Sequence, residues 1–169
     1  MSKMNRRNFI KLTSAAGVTA GAATLLSTRP AMAADNRARL SYPARKVVDA
    51  GALKKRQPVN FNYPDDDSPC LMLSIGSPVP GGVGPNRDIV AFSVLCTHMG
   101  CPTWYDPVAG TLKCPCHYSI FDPEMQGQQV CGQGIARLPQ IELEYDPANG
   151  AIRATGVIGL IYGRTANIV

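Results

Sequence analysis

An all-β fold built of antiparallel sheets is what the sequence predicts, on three observations. The 169 residues include 16 glycines and 14 prolines, a density of turn formers that suits a strand-rich, loop-rich chain better than a helical bundle. Apolar residues fall in short runs bounded by Gly, Pro or Asp, such as Cys70–Ile75 (CLMLSI) and Ile89–Leu95 (IVAFSVL), which is strand length and not helix length. Outside the N-terminal segment no helical periodicity exceeds about two turns, and there is no internal repeat. The length is enough for one domain with a real core.

Residues 1–33 read as an address and not as part of the fold. Met1 to Lys11 is polar and basic, Leu12 to Thr28 is uncharged, and Ala31-Met32-Ala33 offers a small-x-small cleavage site before Ala34. Asn5-Arg6-Arg7-Asn8-Phe9-Ile10-Lys11 resembles a twin-arginine export signal. That pathway carries folded proteins, which suits a chain whose metal cluster is inserted before export. A periplasmic domain over residues 34–169 is therefore expected. An ordinary secretory signal is one alternative. A retained anchor is the other, although a weakly hydrophobic run of 17 residues is at the short limit for a span; membrane association follows only if the signal stays on. The formal charge of +5 belongs to this segment, which holds Lys3, Arg6, Arg7, Lys11 and Arg29 and no acid. The remainder has 12 bases and 12 acids, which argues against nucleic acid as a partner.

Residues 35–60 are polar, with Val47-Val48 and Val59-Asn60-Phe61 as apolar anchors leading into a first strand. Tyr63–Pro69 reads as a turn and Cys70–Ile75 as a buried strand. Gly76–Asp88 is a long Gly/Pro loop, open to reading as a partner contact or as mere slack. Ile89–Leu95 is a second buried strand and runs into Cys96. Tyr105–Gly110 reads as a turn and Thr111–Lys113 as the strand that delivers Cys114, which makes Ile89–Leu95 and Thr111–Lys113 expected antiparallel neighbours. Ile141–Tyr145 alternates apolar and polar residues, Asp146–Gly150 closes a hairpin, Ala151–Ala154 returns, and Val157–Tyr162 is a last apolar strand.

Leu95–Phe121 concentrates the chemistry: it holds four of the six cysteines and both histidines. Cys96-x-His98 and Cys114-x-x-His117 offer two thiolates and two imidazoles. Two cysteines with two histidines also bind zinc. Zinc sites favour Cys-x2–4-Cys and His-x3–5-His spacings, however, and here the order alternates Cys, His, Cys, His. A 2Fe–2S centre with two ligands per iron accommodates that order. Replacing two anionic thiolates by neutral imidazoles raises its potential to about −150 to +300 mV, against roughly −400 mV for the all-cysteine plant type.

Cys96-Thr97-His98-Met99-Gly100-Cys101 and Cys114-Pro115-Cys116-His117-Tyr118-Ser119 resemble the two boxes of the Rieske superfamily. The resemblance implies a Rieske fold, with a cluster-binding subdomain over about residues 93–139 inserted in a base of antiparallel sheets. It implies one 2Fe–2S cluster, with Cys96 and Cys114 on the buried iron and His98 and His117 on the outer one. It implies a Cys101–Cys116 disulfide, free buried thiols being the alternative. A Pro-rich loop covering the cluster is placed at Gly132–Pro139. Ser119 is the family's serine, a hydrogen-bond donor to a bridging sulfide. Tyr118 stands where Gly is usual, and Phe121 stands where high-potential members carry Tyr. One donor to a ligand sulfur is thereby missing, so a potential below that of quinol-oxidising relatives is expected.

The flanks, VLCTHMGCPTWYD, LKCPCHYSIFDPEMQGQQVCGQ, LPQIELEYD and GVIGLIYGR, resemble the small subunits of arsenite oxidases. That implies a large partner with a molybdenum–pterin cofactor and a 3Fe–4S cluster, and an acceptor such as a c-type cytochrome or an azurin-like copper protein. It also implies that this chain has no substrate site. The alternatives are the Rieske subunit of a quinol–cytochrome c reductase, which would need a retained anchor, and a soluble Rieske ferredoxin, which would lack the signal and the disulfide cysteines. A zinc-stabilised binding module is the non-redox reading. Cys70 and Cys131 are expected as buried small hydrophobes, a second disulfide between them being the alternative. Trp104 is expected in packing and Arg164 at a partner surface.

Overall fold

The computed structural model describes residues 41–168, so the export signal and its cleavage site lie outside the described residues. Ten strands follow one another: β1 (Arg45–Asp49), β2 (Val59–Asn62), β3 (Pro69–Ser74), β4 (Ile89–Ser93), β5 (Trp104–Asp106), β6 (Thr111–Lys113), β7 (Ile120–Asp122), β8 (Gln128–Cys131), β9 (Gln140–Tyr145) and β10 (Ala151–Ile158). Helical turns among the described residues are the two three-residue segments Ala50–Ala52 and Pro123–Met125. One sheet has six strands in the order β1-β10-β9-β4-β3-β2, the other four in the order β5-β6-β7-β8. Every pairing is antiparallel.

The apolar runs of β3 and β4 are continuous because both of their faces are buried. Period-two alternation sends Leu71, Leu73, Val90 and Phe92 to one side, where they meet Tyr105, Leu112 and Phe121 of the small sheet and Leu138. It sends Cys70, Met72, Ile89 and Ala91 to the other side, against Ile141, Ile152, Ala154 and Ile161. Each Val, Leu, Ile, Met or Phe among them contributes roughly 1.5–3 kcal/mol by leaving water. In β9 only one face is covered: Ile141 is buried while Glu142 and Glu144 are exposed, as the alternating sequence requires. β4 and β9 are neighbours in the large sheet, and the chain between them carries all four strands of the small one.

Several local expectations change. Thr111–Lys113 pairs with β5 and β7, not with Ile89–Leu95. The turn at Asp106–Gly110 is too short to reach the large sheet and closes a local hairpin, its Asp106 carboxylate accepting the amides of Val108 and Ala109 at 2.9 and 3.2 Å. The last strand is one strand, Ala151–Ile158, bulged between Ala154 and Gly156. It stops at Gly159, whose φ of +96° is left-handed, so Leu160–Tyr162 is not strand. The Gly76–Asp88 loop is pinned, with Asp88 accepting Ser74 Oγ at 2.7 Å and the Gly76 amide at 2.9 Å. Cys70 and Cys131 are free thiols: Cys70 is buried and donates to the carbonyls of Tyr63 and Ser68, but Cys131 is exposed at the sheet edge. Trp104 is half exposed, with the Lys113 ammonium 5.9 Å from its ring centre.

Arg164 is not a free surface cation. It donates to both carboxylate oxygens of Asp65, at 2.6 and 2.8 Å, across 99 residues of sequence. This guanidinium holds the Asp65 carboxyl below its usual range. A carboxyl whose folded pKa is depressed contributes stability above its unfolded pKa and loses it as pH falls through the folded value. Asp65→Asn is therefore expected to lower the thermal midpoint at neutral pH, with the gap to the parent closing below about pH 4. Melting curves from neutral to acid pH check this; a gap that is constant across the range would contradict it.

Candidate metal centre

The two cysteine–histidine segments form matched loops. In the first, the Cys96 amide donates to the Cys101 carbonyl at 2.9 Å; in the second, the Cys114 amide donates to the Ser119 carbonyl at 2.8 Å. Each loop thus closes over six residues and presents its histidine at the crest. The first springs from the end of β4, where Thr103 returns its amide to Val94 at 2.7 Å. The second joins β6 to β7. Cys96 and Cys114 are both buried at the rim of the core between the sheets. His98 is half-buried and His117 exposed.

The structure brings the candidate donor atoms together in two pairs. The Nδ1 atoms of His98 and His117 are 3.2 Å apart, with the rings edge to face. Two imidazoles on one tetrahedral metal, with bonds of about 2.0–2.1 Å, require about 3.3 Å between their nitrogens. The Cys96 and Cys114 thiols are within hydrogen-bond reach of each other. Burial pushes the Cys96 thiol up, and the neighbouring Cys114 adds to this, while the His98 amide and the Ser119 hydroxyl donate to its sulfur and oppose the shift. Two buried sulfurs side by side, two outer nitrogens side by side and hydrogen-bond donors aimed at sulfur fit a 2Fe–2S cluster with one cysteine-bound and one histidine-bound iron. A bound metal reverses the burial effect, because a coordinating thiol is deprotonated outright.

Cys101 and Cys116 are joined in a disulfide, Cα to Cα 6.5 Å, tying the first loop to the second. Their sulfurs and that of Cys114 lie within 4.8 Å of one another, but a disulfide has no thiolate to offer, so this trio is not itself a metal site.

A third loop, Gly132–Pro139, is fastened to both others. Ser119 Oγ is buried and accepts the amides of Gln133 and Gly134 at 3.1 and 2.9 Å. Its hydroxyl proton is thereby left for sulfur, and Ser119 positions the third loop as well, a task that its sequence did not reveal. Thr97 Oγ1 donates to the Ala136 carbonyl at 2.8 Å. At Gly132, φ is +92°, and a Cβ would collide with the backbone of Tyr118 and Ser119; only glycine permits so close an approach.

Tyr118 has φ +58°, the left-handed region that favours glycine. The tyrosine is 80 % exposed, so packing among the described residues does little to compensate for that backbone. Phe121 is fully buried, and its ring tip faces Gly134, where a Cβ would stand 3.1 Å from Phe121 Cζ and 3.2 Å from Thr97 Oγ1 of the first loop. Phe121→Tyr adds a donor beside the first loop. It is expected to raise the reduction potential by stabilising the reduced cluster. Film voltammetry reads this directly, and an unchanged or lower potential would contradict it.

Comparison with known proteins agrees with the site. Residues 45–142 match the family model of the Rieske [2Fe-2S] domain. The chain is 37 % identical over 174 residues to the iodate reductase subunit IdrB of Denitromonas iodatirespirans, covering 97 % of this chain and 86 % of that one. It is 35 % identical over 169 residues to the iodate reductase subunit IdrB of Pseudomonas sp. strain SCT, covering 95 % and 82 %. Among solved structures, the soluble domain of Rieske protein II (soxF) from Sulfolobus acidocaldarius superposes with a TM-score of 0.65 at 26 % identity, over 74 % of this chain and 83 % of that one. The chain belongs to the Rieske [2Fe–2S] domain family and carries a 2Fe–2S cluster.

Proposed function

We propose that this chain is the electron-transfer subunit of an inorganic-oxyanion oxidoreductase. Cys96 and Cys114 hold the inner iron, and His98 and His117 the outer one. The convergence of the two imidazole nitrogens at the exposed end of the site carries this reading, because it brings the outer iron close to a partner's surface. Met99 and Tyr118, each next in sequence to a ligand histidine, and Ile135 on the third loop are 60, 80 and 82 % exposed. Large apolar side chains exposed beside a redox site suit a protein contact. The strained backbone of Tyr118 fits a residue kept for that contact. When bound, the cluster accepts and returns one electron at a time. The chain supplies the ligands, the donors to sulfur and a dry inner wall.

The large partner carries molybdenum–pterin and a 3Fe–4S cluster, and the distal partner is a c-type cytochrome or an azurin-like copper protein. The complex works in the periplasm after export through the twin-arginine signal; an intact mass beginning at Ala34 supports this and a full-length mass in a membrane fraction overturns it. Two substrates remain, each with its own support. The motif flanks point to arsenite, whose oxidation to arsenate releases two electrons that would pass through the cluster one at a time. The two full-length relatives point to iodate, whose reduction draws electrons out of it. Among the described residues no helix is long and apolar enough to cross a membrane. In the complex isolated from its host, arsenite bleaches the oxidised cluster if the first holds, and iodate recolours the reduced cluster if the second does. A complex inert to both overturns the oxyanion reading.

A further inference from the structure

We infer that Arg164 is a positioning residue for the first cluster loop: paired with Asp65, it holds the Tyr162 ring against Gly100 and so fixes the loop that carries Cys96 and His98. This rests on the cluster reading above. Gly100 has φ +72°, and a Cβ there would lie 2.5 and 2.7 Å from Cδ1 and Cε1 of Tyr162. The ring therefore lies directly on the α-carbon, between the Cys96-x-His98 pair and Cys101. The Gly100 amide in turn donates to the Cys96 carbonyl at 2.8 Å, so the residue under the ring is bonded to the ligand cysteine itself.

Tyr162 is not held by a strand, since β10 ends at Ile158. Its segment is held by side chains. Asn167 Oδ1 accepts the Ile161 amide at 2.9 Å, and its Nδ2 donates to the Gly159 carbonyl at 2.7 Å and to Tyr42 Oη at 3.1 Å. The Arg164 amide donates to the Ile161 carbonyl at 3.2 Å. The paired contact with Asp65 fastens this knot to the Tyr63–Pro69 turn, where the same carboxylate accepts the Asp67 amide and Ser68 Oγ. The Pro69 carbonyl accepts the Val94 amide at 3.0 Å, two residues before Cys96. The first loop is thus gripped from both sides, by Tyr162 on Gly100 and by the chain of bonds from Arg164 through Asp65 to Val94. Most exposed ion pairs contribute little. This one is bidentate, with the arginine side chain only 18 % exposed, the geometry in which such a pair sets orientation.

The test is the electron paramagnetic resonance spectrum and potential of the full-length protein, reduced with dithionite. If Arg164 acts through Tyr162, then Arg164→Gln, Asp65→Asn and Tyr162→Ala broaden the same spectral features and shift the potential in the same direction. The Arg164→Gln/Tyr162→Ala double variant then goes no further than the larger single change, and Tyr162→Phe, which keeps the ring, matches the parent. Arg164→Lys, which keeps one contact and serves if Arg164→Gln does not fold, falls between. Opposite shifts for Arg164→Gln and Asp65→Asn would mean that Arg164 acts by its charge, and would overturn the inference. So would a fall in melting temperature with an unchanged spectrum. A parent protein without a histidine-ligated cluster signal fails the cluster reading itself; a normal parent signal with unaffected variants fails this inference alone.

Discussion

Cys114→Ser is expected to yield an iron-free, colourless protein. Serine is close to cysteine in shape, so the loop from Cys114 to Ser119 keeps its closing backbone bond at 2.8 Å. What changes is the ligand. Iron–sulfur clusters are held by thiolates, and an alcohol does not ionise as a thiol does. The substitution also falls where water cannot stand in, because Cys114 is 2 % exposed and packed with Leu112 and Phe121 in the core between the sheets. Since metal binding and folding are coupled in such a site, the variant should also melt below the parent. Iron and acid-labile sulfide analysis, with the visible spectrum, checks this. A variant that keeps its full complement of iron and sulfide would remove Cys114 from the ligand set. Cys96→Ser is expected to behave in the same way, whereas Cys131→Ser, at an exposed sheet edge, is expected to keep colour and stability.

Removing the Cys101–Cys116 disulfide is expected to cost about 3 kcal/mol, the chain-entropy value for closing a loop of about 15 residues; the observed separation is 15. The larger consequence lies at the site. Few backbone hydrogen bonds join the first loop to the second; the closing bonds at Cys96 and Cys114 are each internal to one loop. The disulfide is their direct covalent tie, and the third loop, through Ser119 and Thr97, is the indirect one. A Cys101→Ser/Cys116→Ser protein should therefore keep its fold, lose cluster faster under a chelator, and show the lower midpoint in denaturant. A double variant whose cluster is as long-lived as the parent's would show that the third loop alone holds the two together.

The chemistry of the site was legible because it is local. Each proposed ligand pair lies within four residues, and the alternation of Cys and His already favoured a cluster over a zinc-finger spacing. The buried strands β3 and β4 were legible for a similar reason: an apolar run between turn residues leaves few alternatives. β5 and β8 were not, since Trp104–Asp106 is only three residues long and runs into the turn, and Gln128–Cys131 is short, largely exposed and carries no period. Missing β5 led to the wrong partner for Thr111–Lys113. Least legible were contacts made by tertiary approach. Nothing near Gly100 in sequence announces a tyrosine 62 positions later, nothing in Tyr63–Pro69 announces Arg164, and the third loop's attachment to Ser119 depends on a glycine, Gly132, that serves only because two backbones touch there.

The most direct measurement is metal and sulfide analysis of the purified full-length protein, joined to pulsed electron paramagnetic resonance of its reduced form. A Rieske centre held by Cys96, His98, Cys114 and His117 predicts two irons and two labile sulfides per chain. It also predicts couplings to two histidine nitrogens, one of which disappears in each of His98→Cys and His117→Cys. A protein that holds one zinc and no sulfide, or a cluster without nitrogen couplings, would contradict it.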